Sequence, residues 1–244
     1  MKLHPPKFQA RHILRTGRRL AAAAAVAFGC VAYAYLTLPD VRPLADTNPE
    51  TTAFIELRAN AARDEGRVPR RLQRWVNSGR ISPNLKKAVL VAEDAAFWDH
   101  EGVDYHELRV AVSTALANRQ MARGASTITQ QLAKNLYLSP SRNPLRKFRE
   151  LIIARRLEAE LSKARILELY LNVIEWGDGV YGVGAAADQY FGISSASLGP
   201  AESALLAGAI VNPRLLNPAQ PSQRLRSRQQ IILRRMGTFR LAEH

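Results

Sequence analysis

One cysteine, Cys30, is all that 244 residues offer, so no intramolecular disulfide can form and a zinc site built from several cysteines is excluded. The fold must hold by packing. Acids are also scarce: 21 Asp and Glu stand against 35 Lys and Arg, a formal charge of +14. Such a surplus favours a polyanionic partner, whether nucleic acid, an anionic membrane surface or a phosphorylated substrate, without choosing among them. There is no sustained alternating strand pattern and no tandem repeat. Walker and Rossmann glycine spacings are missing, and Gly124 is too isolated for a phosphate-cradling loop. Hydrophobic residues make up 47%, which excludes wholesale disorder. The length suits one sizeable domain plus an anchor or tail.

Lys2, Lys7, Arg11, Arg15, Arg18 and Arg19 precede any acidic residue, and the apolar run LAAAAAVAFGCVAYAYLTL follows, Leu20 to Leu38. As a helix this run spans roughly 28 Å, close to the hydrocarbon thickness of a bilayer. The basic flank should stay in the cytoplasm and send the remainder outward. A cleaved signal peptide is the competing reading, with Ala32 to Ala34 as the cleavage site, although the apolar run continues through Tyr35, Leu36 and Leu38. Arg18-Arg19 also resembles a twin-arginine signal, and Cys30 reads as a small apolar filler rather than a lipidation site. In each case the functional domain lies outside the cytoplasm, which demotes nucleic acid as a partner.

The organisation expected is a cytoplasmic basic segment (1–19), a transmembrane anchor (20–38), a proline-bearing linker (39–52) and one mainly α domain (53–244). Ser82 is a candidate N-cap with Pro83 at the first helical position. Residues 106–120 and 126–138 have helical patterning. So does the run from 143 to 161, with Leu145, Phe148, Leu151, Ile152 and Leu157 at helical spacing. Ser162 can cap the helix that follows. WGDGVYGVG, residues 176–184, reads as a loop, and helices resume until Pro213.

Three stretches carry chemistry. LVAEDAAFWDHEG, residues 90–102, gathers Glu93, Asp94, Asp99, His100 and Glu101 around Phe97 and Trp98. Glu93, Phe97 and His100 recur at i, i+4 and i+7, so a continuing helix puts them on one face. A carboxylate beside an aromatic in a partly desolvated cleft has a raised pKa and can exchange a proton near neutral pH; a solvated helix end is the plainer alternative. GASTITQQLAKN supplies Ser126, Thr127, Thr129, Gln130 and Gln131, uncharged groups suited to sugar hydroxyls and amides, with Lys134 four residues after Gln130. A capped helix with a polar outer face would look the same. SRNPLRKFRELIIARR places Arg142, Arg146, Lys147 and Arg149 around Glu150. That is a cationic cradle for phosphate, or an ordinary Arg146–Glu150 surface pair.

Taken in order, EDAAFWDHEG, GASTITQQLAKN, RKFRE and SKARILELYLN resemble the peptidoglycan glycosyltransferase family, and more closely its short monofunctional members, over about residues 75 to 215. The resemblance implies a lysozyme-like helical lobe with a smaller membrane-proximal jaw lobe, Gly124 and the LSPSRNP region lending it flexibility. It implies that Glu93 is the general base for the acceptor's 4-hydroxyl, attacking C1 of the donor with inversion and release of undecaprenyl pyrophosphate. Lys134 and Arg142 would engage that pyrophosphate, together with Arg146 and Lys147. Glu150 is the second important carboxylate, with orientation of the basic residues favoured over metal coordination or help to the leaving group. Ser126, Gln130, Gln131 and Asn135 would bind substrate or hold the scaffold, Asp94 and His100 would position Glu93, and Phe97 would be structural. Lys163, Glu168 and Asn172 would build a capped helix under the cleft. No metal-ligating set stands out, although a divalent cation, Mg or Mn, stays open. Lipid II, the growing lipid-linked glycan, the membrane and other cell-wall synthesis proteins are the partners implied, with no nucleic acid, at the inner membrane.

No Ser-x-x-Lys tetrad occurs, so the acyl-transfer chemistry of bifunctional penicillin-binding proteins is not expected, and beta-lactams should not acylate the chain. A lytic enzyme of lysozyme-like fold is the nearer rival, but its leaving group is a sugar and needs no cation cluster. A non-catalytic, membrane-anchored glycan-binding scaffold is the more distant one.

Overall fold

The structure is a computed structural model that describes residues 7–118, 126–139 and 144–239. Arg142 and Gly124, both singled out in the sequence, lie outside the described residues. The chain divides into two compact units, Met1–Pro39 and Asp40–His244. Helix α1 (Lys7–Leu36) belongs to the first, and on it Leu20, Val26, Phe28, Val31, Tyr33 and Leu36 are exposed. Among the described residues no helix is long and apolar enough to cross a membrane.

The second unit is mainly α. Its helices are α2 (Ala53–Asp64), α3 (Pro83–Glu93), α4 (Tyr105–Asn118), α5 (Ile128–Tyr137), α6 (Pro144–Glu160), α7 (Lys163–Val173), α8 (Val183–Phe191), α9 (Pro200–Ala209) and α10 (Gln223–Thr238). Local chemistry sets many of the starts. The hydroxyls of Thr52, Ser82, Thr127, Ser162 and Ser222 each accept a backbone N–H from the first turn of the helix that follows. Such a cap contributes about 1 kcal/mol by satisfying a donor the helix leaves open. Between Pro39 and α2 the chain does not hang free of the domain: Val41 and Leu44 are buried, and Arg165 donates to the carbonyls of Leu44 and Thr47 at 2.8 and 3.1 Å.

The stretch read as a loop, residues 176–184, is instead a small sheet followed by a helix start. Strand β2 (Glu175–Gly177) pairs antiparallel with β3 (Val180–Tyr181), and β1 (Leu72–Gln73) lies parallel on the other side of β3. Strands of two or three residues leave no alternation for a sequence reading to find. Gly182, at φ 75°, closes this hairpin against α7; a Cβ there would stand 2.6 Å from the Asn172 carbonyl oxygen. The position therefore demands glycine on two counts, backbone conformation and space.

The core lies under α5, α6 and α7, which pack on one another, and continues where α3 packs on α9 and α10. Phe97, Ile128, Leu132, Ile153, Leu157, Ile166, Leu169, Tyr170 and Trp176 are fully buried. Each such apolar side chain contributes about 1.5–3 kcal/mol relative to exposure. This packing brings the C-terminal end of α3 against the N-terminal end of α5, and there the polar residues collect.

Candidate active site

Helix α3 does not continue past Glu93. Asp94 is its C-cap and residues 95–99 form turns, so the expectation that Glu93, Phe97 and His100 share one helical face is corrected. The break has a use for the site. Glu93 ends the helix half-buried at a cavity of about 310 Å³, while Asp94 turns inward and is 8% exposed. Asp94 accepts the Ile128 N–H at 2.9 Å and faces His100 Nε2 at 3.0 and 3.1 Å. The Gly102 N–H donates to His100 Nδ1 at 3.2 Å, which leaves the imidazole proton on Nε2, pointing at Asp94. Ile128 is the first residue of α5, so Asp94 also sits where the helix dipole favours a negative charge.

Gly102 completes this frame. At φ 81° it presents its carbonyl to the Thr127 hydroxyl at 2.8 Å and to Gln130 Nε2 at 3.2 Å. A Cβ would press on Glu158 and the Ala154 carbonyl at 3.1 and 3.3 Å. The acidic stretch and the STITQQ stretch are thus one hydrogen-bonded unit. His100 acts on Asp94 and leaves Glu93 to other partners.

Among the described residues Glu93 has one direct side-chain partner, Gln131, whose Nε2 donates to Oε2 at 2.9 Å. The other end of the same amide, Oε1, accepts the Tyr170 hydroxyl at 2.9 Å. Tyr170 is fully buried, and burial, followed by the charges of Glu93 and Asp94, holds its pKa well above the ordinary value, so it remains a donor. A tyrosine that donates to Oε1 fixes which way the amide faces and aims its NH2 at Glu93. Burial also raises the pKa of Glu93; the Gln131 hydrogen bond and the charges of Arg228 and Lys134 oppose the rise, and Asp94 adds to it. Tyr170 was not singled out in the sequence, where it reads as one more large residue on the apolar face of α7.

Beside α5 the carboxylate of Glu150, 3% exposed, binds two cations: Arg146 Nη1 at 2.6 Å and Lys147 Nζ at 2.5 Å. Lys147 also donates to Gln130 Oε1 at 2.8 Å and to Ser126 Oγ at 3.3 Å. Lys134, half-buried, has its pKa lowered by burial first; the charges of Glu150 and Glu93 oppose this, and Arg146 and Lys147 assist it. Asn135, 7% exposed, donates to the Gln131 carbonyl one turn back at 2.8 Å, which is a scaffold contact. Among the described residues no three His, Cys, Asp or Glu groups could hold a metal ion. Glu150 has both oxygens on cations, so the donor set does not fit a divalent cation there.

Beneath the site, Lys163 pairs with Glu158 at 2.8 Å and lies 4.4 Å from the Phe97 ring centre, while Thr129 donates to Glu158 at 2.5 Å. Glu168 accepts the Ser78 N–H, and Asn172 bonds both backbone groups of Val76. The structure therefore brings together Glu93, Ser126, Gln130, Gln131, Lys134, Arg146, Lys147 and Glu150. Two arginines of α10 also bear on the site. Arg228 donates to the Gly208 carbonyl at 3.0 Å and acts on Glu93, and Arg235 lines the Glu93 cavity.

A half-buried carboxylate with a raised pKa, beside cations able to neutralise a departing anion, fits a group-transfer enzyme. A family model for transglycosylases matches residues 58–237. Proteins named biosynthetic peptidoglycan transglycosylase are similar over most of the chain. Those of Nitrosomonas eutropha and Nitrosomonas europaea are 46% and 47% identical over 194 residues, 80% of this chain and 80% of each relative. That of a Janthinobacterium species is 42% identical over 194 residues, 80% of this chain and 84% of the relative. The chain belongs to the transglycosylase family.

Proposed function

We infer that this chain is a peptidoglycan glycosyltransferase that polymerises lipid II into glycan strands, and we propose Glu93 as its general base. The observation that carries the reading is the division of labour along α5, where Gln131 holds one desolvated carboxylate and Gln130 meets a Glu150-held cation pair. Glu93 takes the proton of the acceptor sugar's 4-hydroxyl. The freed oxygen attacks the donor's C1, a β-1,4 bond forms with inversion, and the C1–O bond to pyrophosphate breaks with its electron pair on the phosphate oxygen. Lys134, Arg146 and Lys147, with Arg142, neutralise the undecaprenyl pyrophosphate that leaves. Ser126, Gln130 and Gln131 hold substrate or its neighbours in place, and Glu150 orients the cations. Neutralisation is assigned to the protein's own cations, with no Mg or Mn at Glu150. Lysis, whose leaving group is a sugar, gives that cluster no task.

We place the domain at the outer face of the inner membrane, tethered through residues 20–38 with the basic flank in the cytoplasm. Both substrates carry a membrane-embedded tail, and the large apolar side chains of α1 are exposed. We also assign the fold to the lysozyme-like lobe, with the jaw around α4, where Tyr105, Leu108 and Val110 are exposed. Other cell-wall synthesis proteins are partners in this reading.

The test is a gel of products formed from labelled lipid II by the detergent-purified chain and its Glu93→Gln variant. A ladder of lengthening glycan from the first and none from the second is expected. Shortening of preformed peptidoglycan in place of a ladder would overturn polymerisation, and a full ladder from the variant would overturn the base.

A further inference from the structure

The cavity beside Glu93 has a composition that the transfer chemistry above does not use. Among the described residues four carboxylates line it, those of Glu93, Asp94, Asp104 and Glu107, while Lys134, Arg146 and Lys147 do not. Asp94 is occupied by His100 and Ile128, and Asp104 caps α4 by accepting the Glu107 N–H at 2.9 Å. Such a lining repels a pyrophosphate and suits a neutral, hydroxyl-bearing group that donates to carboxylates. At about 310 Å³ it has room for a small ligand such as one sugar ring. The cation cluster stops at the border of this cavity, where Lys147 meets Ser126, and among the described residues the lining itself is mostly acceptors.

Among the described residues one charged side chain in the lining can donate, and it comes from a distant part of the sequence. Arg235 reaches the cavity because α10 packs on α3 and α9. Leu225, Ile232 and Met236 are the buried stripe of α10. Arg228 and Arg235, seven residues apart, repeat on the same side of the helix. Gly208 lets the two helices approach: a Cβ there would lie 3.1 Å from Leu225 and 3.7 Å from Ile232. Arg228 is fixed by the Gly208 carbonyl. Arg235 is exposed, and among the described residues its guanidinium has no hydrogen-bond or ion-pair partner. The hydroxyl of Thr127 is already committed to Gly102 and to the Gln130 N–H.

A hydroxyl can satisfy a carboxylate, but an amide carbonyl only accepts and needs a donor. We propose that Arg235 is a specificity-determining residue of the acceptor site, its guanidinium donating to the acetamido carbonyl of the sugar whose hydroxyl Glu93 deprotonates. This rests on the glycosyltransferase reading and deepens it. The residue reads the amide substituent, and no bond is made or broken at it.

The experiment compares two acceptors in neutral detergent: lipid II, and an analogue whose terminal sugar carries a hydroxyl in place of the acetamido group. kcat/KM is measured for the wild type, Arg235→Ala, Arg235→Lys and the control Arg234→Ala, a neighbouring exposed arginine that does not line the cavity. The wild type and Arg234→Ala should prefer lipid II by the same factor. Arg235→Ala should lose about tenfold of that preference, as expected for one charge-assisted hydrogen bond at a partly open site, and Arg235→Lys should recover part of it. A merely structural role would lower both substrates equally and leave the ratio untouched, which overturns the proposal. An equal loss in Arg234→Ala, showing a diffuse charge effect, overturns it as well. If the wild type extends neither acceptor, the glycosyltransferase reading fails with it; if it extends both and the ratio does not move, this proposal alone fails.

Discussion

Replacing Tyr170 by Phe removes one oxygen and leaves the ring, so no cavity opens in a core where Tyr170 is fully buried. What changes is the relay. Gln131 Oε1 loses its donor at 2.9 Å, and the amide is then held only by its NH2 contacts to Glu93 and the Ser126 carbonyl, so its hydrogen bond to Glu93 loosens. Deleting the bond costs about 1 kcal/mol, and leaving a half-buried amide oxygen unpaired adds about another, for a total near 2 kcal/mol. In a compact unit of this size that lowers Tm by about 4–8 °C. The functional effect has a definite sign. The Gln131 hydrogen bond holds the Glu93 pKa down against burial, so weakening it raises that pKa further. A general base must be ionised, and the acid limb of kcat/KM against pH should therefore move to higher pH in Tyr170→Phe. Rates on lipid II across pH, with a parallel melting curve, make the measurement. A fall in Tm with an unmoved acid limb would refute the relay and leave Tyr170 as core alone.

Two other outcomes follow from the same geometry. The Glu93 pKa is raised in the fold, so its ionised form is less favourable there than in the unfolded chain. The resulting cost is fully present above the folded pKa and fades as pH falls towards the unfolded value. Glu93→Gln should accordingly melt no lower than the wild type at neutral pH, and the two melting temperatures should converge on acidification. A variant that melts several degrees lower at neutral pH would contradict this. Glu150→Gln removes the anion between Arg146 and Lys147, which are 20% and 42% exposed and regain water. Stability should fall by about 1–2 kcal/mol, short of the 3–5 of a fully buried pair, while loss of cation placement lowers kcat by about 100-fold. Urea unfolding and turnover on lipid II separate the two effects, and unchanged turnover would remove Glu150 from the leaving-group machinery.

Much of the site was legible because the signals are local. Ser82, Thr127 and Ser162 sit one residue before their helices, and a cap needs only its own first turn. Arg146, Lys147 and Glu150 meet because i+3 and i+4 coincide on a helix. Reading Glu93 and His100 as one face failed for a complementary reason. Periodicity says where a residue points if the helix goes on, and Asp94 ends it by leaving for the N-terminus of α5, which lies 34 residues away in sequence. The hairpin at residues 175–181 was hidden by the brevity of its strands.

The amino-acid sequence by itself determined the kinds of chemistry available: the order of the motifs, the caps, the pairs within one helix, and the cationic surplus that suits an anionic leaving group. Only the tertiary structure decided which groups of different segments act on one another. Gln131 reaches Glu93 across 38 residues and Tyr170 reaches Gln131 across 39. Desolvation, which moves the Glu93 pKa the most, belongs to no single segment, because it is water excluded by everything packed around the group. Arg235 enters the cavity for the same reason: helix propensity made α10 a helix, but its packing on α3 and α9 put a guanidinium beside the base.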